Sequence, residues 1–287
     1  MTGDRSRYPL HDFDAQFQKY ALDYAKDHRM NAEKDLDKLE GMLPQLYLRF
    51  INKPQRFLSD KTPALFFSEY GDPRELIEWL CDYERAGIPV PDLLLERVKS
   101  LKESEAALME YLVSPKTPHI ARLTIVSLLS EMSSAMPVST YIEWIKASQS
   151  RRDDLVDIAA DALISLGASV VEPILAAIGD AKPAGQSTFV DILCSFPGDG
   201  RILRWAIELF KKNANETALF ASYLGKLGDP SAIPALLDAL QTRKLNYLDF
   251  IETRNAIEAL GGDVPLDMNM DETSFHGDPY YESLKSL

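Results

Sequence analysis

The sequence predicts an all-α fold in which antiparallel helix pairs stack into a superhelix, an architecture called an α-solenoid. Two observations predict it. An apolar pattern with the spacing of one helix face recurs at a period of about 31 to 33 residues. A second short helical segment, ending at glycine or proline, stands before the later copies. Because one helix pair cannot bury its apolar face alone, this repetition predicts that neighbouring pairs cover one another.

The apolar pattern lies between residues 138 and 240. Its members follow the spacing i, i+3, i+4 and i+7, which marks one side of an α-helix. The copies are Val138, Tyr141, Ile142 and Ile145; Val171, Ile174, Leu175 and Ile178; Ile202, Trp205, Ala206 and Leu209; and Ile233, Leu236, Leu237 and Leu240. We predict helices with these residues buried and no β-sheet in this stretch. Trp205 belongs to this set, and we interpret it as a core residue.

The first helix of each pair ends in an apolar doublet, and the doublets are Leu163/Leu166, Leu193/Phe196, Leu224/Leu227 and Ile257/Leu260. Three of these doublets are followed by Gly167, Gly228 and Gly261. Glycine readily adopts the left-handed conformation that ends a helix. The unit that starts near Ser187 departs from this pattern and carries Pro197 where glycine is usual. The repeated unit is therefore predicted to be helix, tight turn, helix.

The segments AADALISLGASVVEPILAAI and ASYLGKLGDPSAIPALLDAL resemble the HEAT-like repeats of the bacterial type, including those named after the phycobilisome (PBS) lyases. The resemblance covers roughly residues 115 to 262. It implies a HEAT-like or armadillo-type (ARM-type) α-α superhelix, in which the second helix of each pair lines the concave face. It implies little about function, because such repeats serve scaffolds, lyase subunits, inhibitors and a few enzymes.

Outside the repeats, the helical pattern is less regular. Phe13, Phe17, Tyr20 and Tyr24 form a helix stripe in the N-terminal third. We divide the chain into an N-terminal helical region (1–61), an irregular helix-pair region (62–114), the HEAT-like repeats (115–262) and an acidic C-terminal extension (263–287). The extension also carries apolar residues, and we predict that part of it packs on the last repeat or folds back toward Arg201 and Arg204.

Composition excludes several function classes. The formal net charge of −13 opposes general nucleic-acid binding, because phosphate would meet long-range repulsion. The first residues lack a secretory signal and no apolar stretch is long enough to cross a membrane, so we expect a cytoplasmic protein. The two cysteines and four histidines show no metal-ligand spacing. No common catalytic or phosphate-binding motif is present, and we expect no cofactor and no metal.

One calcium-loop pattern is the exception. Asp267, Asn269, Asp271 and Asp278 occupy positions 1, 3, 5 and 12 of such a loop. Position 6 is Glu272 instead of glycine, and position 12 is not the usual glutamate. We therefore favour a plain acidic tail over a calcium site.

A stripe on the second helices, one turn away from the core pattern, is the candidate binding surface. It mixes aromatic, arginine and small apolar residues, as recognition surfaces do. Its candidate residues are Thr140, Trp144, Pro173, Ala177, Arg201, Arg204, Glu208, Ala235 and Ala239, with Val170 and Ala232 on the same stripe. The alternative is a solvated face on which Arg204 pairs with Glu208.

These observations favour a non-catalytic scaffold that binds a protein or peptide on its concave face. The alternative is an enzyme or lyase subunit on the same scaffold, similar to phycobilin lyase subunits or to alkylpurine DNA glycosylases. The glycosylase version would require a basic concave face and a catalytic aspartate. The net charge and the alanine-rich stripe oppose it, while Arg201, Arg204 and Trp205 favour it.

Overall fold

The chain is all-α. A computed structural model describes residues 8–28, 36–150, 152–264, 275 and 277–285. The structure is 75% helical, and the described residues form no strand, which confirms the predicted helical-repeat class. It divides into two compact units, Met1–Met136 and Pro137–Leu287. Among the described helices, none is long and apolar enough to cross a membrane.

The first unit holds seven α-helices in its described residues: α1 (Phe13–Asp27), α2 (Leu36–Ile51), α3 (Pro63–Phe66), α4 (Pro73–Ala86), α5 (Asp92–Ser100), α6 (Ser104–Val113) and α7 (His119–Glu131). Its aromatic core is centred on α4. Trp79 stacks on Tyr8 with ring centroids 4.9 Å apart, and its indole nitrogen donates to the Pro9 carbonyl at 3.3 Å. The Tyr83 hydroxyl donates to the His11 carbonyl at 3.1 Å. These contacts fix the segment before α1 onto α4.

The second unit contains the repeats. Its helices are α8 (Val138–Ala147), α9 (Asp154–Ser165), α10 (Val171–Ala177), α11 (Pro183–Leu193), α12 (Gly200–Lys212), α13 (Thr217–Leu227), α14 (Ile233–Thr242), α15 (Tyr247–Ala259) and α16 (Pro279–Lys285). The pairs α9/α10, α11/α12 and α13/α14 correspond to the predicted units. The boundary between the compact units falls at residue 137. It therefore lies inside the stretch 115–262 that the sequence reading treats as one array, and α7 belongs to the first unit.

The apolar pattern forms the core of the second unit, with one correction. Its central residues are buried on every copy: Tyr141, Ile142, Ile145, Ile174, Ile178, Ile202, Ala206, Leu209, Leu236 and Leu240. The members at the edges of the stripe are only half-buried: Val138, Val171, Leu175, Trp205, Ile233 and Leu237. The prediction that every member of the pattern is buried is therefore wrong for these six, and Trp205, interpreted from the sequence as a core residue, is only partly buried on α12.

The glycine turns form as predicted. Gly167, Gly228 and Gly261 have φ angles of 74°, 73° and 80°, in the left-handed region that suits a residue without Cβ. In the departing unit, Gly198 takes the positive φ (104°) directly after Pro197. The turn is therefore preserved, although the glycine is displaced along the chain.

The C-terminal extension covers the last repeat helix. Phe275 and Tyr281 are buried, and their rings lie 5.1 and 4.8 Å from that of Tyr247 on α15. Phe275 also lies 5.4 Å from the ring of Phe250. The predicted packing of the extension on the last repeat is confirmed for these residues. Fold-back toward the arginines of α12 is not tested, because residues 265–274 lie outside the described part of the chain.

Asp278 has a structural role in this cover. Its carboxylate accepts the backbone N–H of Tyr247 at 3.0 Å and those of Tyr280 and Tyr281 at 2.9 and 3.1 Å. It thereby joins the start of α16 to the start of α15. The other candidate calcium ligands, Asp267, Asn269 and Asp271, lie outside the described residues.

Candidate partner-binding pocket

A pocket of about 520 Å³ opens between α10 and α12, the second helices of two consecutive pairs. It is lined by Glu172, Leu175, Ala176, Arg201, Arg204, Trp205 and Glu208. Its wall combines apolar and aromatic surface with two arginines and two glutamates. This composition is typical of a recognition site, in which apolar contact provides area and a few polar groups provide orientation.

The period of α12 explains why it presents these side chains. Ile202, Ala206 and Leu209 follow the spacing i, i+4 and i+7, and all three are buried. Trp205 lies on one edge of this buried stripe, so its side chain is partly buried and also lines the pocket. Arg204, the residue before Trp205, lies outside the buried stripe and is exposed.

Arg201 is held in place by carboxylates. Its side chain donates to both oxygens of Asp199, with Nη2 at 2.6 Å from Oδ2, and to both oxygens of Glu172, with Nη1 at 3.1 Å from Oε2. The Asp199 carboxylate also accepts the Arg201 backbone N–H at 2.8 Å and so caps α12. These hydrogen bonds lower the pKa values of the Asp199 and Glu172 carboxyls. Arg201 therefore fastens α12 to α10 and has little hydrogen-bonding capacity left for a ligand.

Arg204, Trp205 and Glu208 have unused polar groups. No described residue forms a hydrogen bond or ion pair with the Arg204 guanidinium, the Trp205 indole N–H or the Glu208 carboxylate. The predicted alternative of an Arg204–Glu208 ion pair is therefore not formed in the described structure. The pocket offers several unpartnered donors and one unpartnered acceptor beside an apolar wall.

The other candidate residues are dispersed. Ala235 and Ala239 are buried at 9% and 1% exposure, and Val170 and Ala232 are buried as well, so this part of the stripe offers no surface to a partner. Pro173 is exposed and Ala177 half-buried on α10, and neither lines the α10–α12 pocket. Thr140 is half-buried on α8.

Trp144 lies in a second pocket at the end of α8, of about 440 Å³, beside Asp153 and Leu155. The structure therefore joins only Arg201, Arg204 and Glu208 of the candidate set into one site.

The missed residues follow from the geometry of a groove. Two helices that lie side by side contact each other through opposite sides. A groove between them is therefore lined by different positions of the repeat pattern on each helix. The same register on every helix predicts Pro173 and Ala177. The pocket uses Glu172, Leu175 and Ala176 instead. A search on the opposite flank of the preceding helix would have found them.

The cysteines do not resemble catalytic nucleophiles. Cys81 and Cys194 are both buried and free. Burial raises the pKa of Cys81 to about 11 and that of Cys194 to about 12. At neutral pH both side chains are protonated thiols, which are poor nucleophiles. Among the described residues, no group of three or more His, Cys, Asp or Glu side chains has an arrangement that could hold a metal ion.

Comparison with known families gives one match. Residues 220–242 match the family model of the PBS lyase HEAT-like repeat. The match spans most of α13, the glycine turn and all of α14, which together form one helix pair. This helix pair is a HEAT-like repeat. No curated protein matches it. The match does not distinguish a binding scaffold from a lyase subunit.

Proposed function

We propose that this protein is a non-catalytic scaffold that binds a protein or peptide in the pocket between α10 and α12. The observation that carries the proposal is Trp205, which is half-exposed in the pocket wall beside the unpartnered Arg204. Tryptophan and arginine are the side chains most enriched where binding energy is concentrated. Leu175 and Ala176 add apolar surface on the facing helix.

Rigidity supports the same proposal. A binding site loses less affinity to side-chain and loop ordering when its walls are fixed before the partner arrives. Here the Arg201 clamp joins both walls, and Ile174 and Ile202 anchor the two helices in the core. The pocket is therefore preorganised on helices instead of loops.

The test is to block the pocket without disturbing the fold. Ala176 is exposed on the pocket wall, and Ala176→Trp fills the pocket with a bulky ring. Ala259 is equally exposed on α15, outside the pocket, and Ala259→Trp is the matched control. We expect wild type and Ala259→Trp to retain the same stoichiometric protein from an extract of the source cells, and Ala176→Trp to lose it. Equal recovery by all three proteins would reject this pocket as the binding site.

The lyase-subunit alternative rests on the match to the PBS lyase HEAT-like repeat. That match covers one helix pair, α13 and α14, and does not include the pocket. An absorbance titration with free bilin tests it, and a saturable spectral change would favour it over the scaffold. The DNA-glycosylase-like version is disfavoured, because Asp199 and Glu172 are engaged by Arg201 and the net charge is −13.

A further inference from the structure

The two arginines of the pocket, one turn apart on α12, are chemically different. Arg201 is surrounded by the carboxylates of Asp199 and Glu172, whereas Arg204 has no hydrogen-bond or ion-pair partner among the described residues. A guanidinium presents several N–H donors in a planar fork and no acceptor. Arg201, and to a lesser extent Arg204, lowers the pKa of the Asp199 carboxyl, but the Arg204 guanidinium forms no hydrogen bond or ion pair among the described residues, so its N–H donors are available to a ligand in the pocket.

We infer that the partner is a peptide segment that places one carboxylate on Arg204 and an adjacent apolar side chain against Trp205 and Leu175. This inference rests on the proposed function and names the chemistry of its partner. The Arg204 fork matches a carboxylate in a bidentate pair, the geometry in which such hydrogen bonds are strongest. The indole N–H of Trp205, which lines the same pocket, is a further donor. The apolar neighbour is required because the remaining wall, Leu175 and Ala176, has no polar side-chain atom.

Charge selects a short acidic segment over a polyanion. Glu208 lies on the pocket wall and carries no partner among the described residues, so a phosphate or a second carboxylate there would meet a like charge. The net charge of the chain repels a nucleic acid at long range. A single carboxylate followed by an apolar residue engages Arg204 and brings only one negative charge near Glu208, which stands one helical turn away on α12.

The probe is a display library of random peptides selected on the full-length protein. We expect enrichment of an Asp or Glu next to a Leu, Phe, Tyr or Trp. Affinity of a labelled selected peptide is then measured by fluorescence anisotropy. Replacing its acid by the matching amide should weaken binding to the wild type about tenfold or more, since a hydrogen-bonded charge contributes about 1.5–3 kcal/mol. The same replacement should have no effect on Arg204→Gln.

A charge exchange makes the inference specific. Arg204→Glu should reject the acidic peptide and accept its lysine counterpart, whereas Arg254→Glu on α15, which changes the net charge equally, should bind as the wild type does. Selected peptides that fail to bind the Ala176→Trp variant, but whose affinity for the wild type does not change when their acidic residue is replaced, would overturn the inference and leave the proposed function standing. A library that yields no peptide sensitive to Ala176→Trp would overturn both. Displacement of the acidic peptide by inorganic phosphate at equal concentration would show that Arg204 selects any small anion, and would also overturn the inference.

Discussion

Gly185 on α11 is the position where the repeat packing is tightest. A Cβ added there would lie 2.2 Å from the carbonyl oxygen of Ile145 on α8, against 3.4 Å for ordinary van der Waals contact. The obstacle is backbone, so no side-chain rotation relieves it. The substitution Gly185→Ala therefore requires α8 and α11 to separate by about 1 Å, and overpacking of this kind costs about 1–3 kcal/mol.

Two further effects enter the magnitude. The separation would break the hydrogen bond from the Lys182 backbone N–H to the Lys146 carbonyl, 3.2 Å long, which contributes about 1 kcal/mol. Alanine is a better helix former than glycine, and this offsets about 1 kcal/mol. We therefore expect Gly185→Ala to lower the free energy of unfolding by about 1–3 kcal/mol.

The control is the same substitution where there is space. Gly200 is the exposed first residue of α12, and an added Cβ there meets no atom within 4 Å. Gly200→Ala should leave stability unchanged or raise it by up to about 1 kcal/mol. Both glycines lie in the second unit, so urea unfolding followed by far-UV circular dichroism reports on the same structure. If Gly185→Ala is as stable as Gly200→Ala, α11 does not approach α8 as closely as the structure shows.

Two substitutions and one labelling experiment test the core, the tail and the thiols. Leu236→Asp places an unpaired charge at a fully buried position and should lower the free energy of unfolding by several kcal/mol. Hydrogen exchange should then show loss of protection in the C-terminal helices. A decrease of less than about 1 kcal/mol would contradict the burial of Leu236. The backbone N–H of Tyr247 is the main group that lowers the pKa of Asp278 below its ordinary 3.8. The ionised carboxylate therefore stabilises the folded protein above pH 3.8, and this contribution is lost as the pH falls through the lower pKa of the folded state. Asp278→Asn should flatten the acid limb of the stability profile, and an unchanged profile would remove this role. Cys81 and Cys194 should react with a thiol reagent at pH 8 only after denaturation, because burial raises their pKa values to about 11 and about 12; rapid labelling of the native protein would contradict this.

The fold could be predicted from the sequence because it depends on local periodicity. The spacing of Ile174, Ile202 and Leu236 within their copies marks the buried face, and all three are fully buried. The glycine turns are equally local, because a left-handed φ is a property of one residue. The position of the unit boundary at residue 137 was not predicted, since it depends on contacts between residues distant in sequence.

The site could be predicted only in part. The sequence indicates that Arg204 and Glu208 lie on the surface of α12, because they stand opposite the buried stripe. It does not show that Ala235 and Ala239 are covered by neighbouring helices, because small apolar residues suit both a binding surface and a close helix contact. Trp205 was misassigned for a related reason. A large side chain at the edge of an apolar stripe has enough area to belong to the core and to the surface.

The different roles of Arg201 and Arg204 show how a repeat period carries information about contacts. Asp199 stands two residues before Arg201, where a helix cap is expected, and Glu172 stands 29 residues before it, close to one repeat period. Residues separated by about one period lie on adjacent second helices, so the Glu172–Arg201 pair is a contact between repeats. By the same 29-residue offset, the residue one repeat before Arg204 is Leu175, which has no charge to offer. The same periodicity that joins Arg201 to its neighbour therefore leaves Arg204 without a partner inside the array. This is the physical basis for our proposal that the carboxylate which engages Arg204 comes from a binding partner.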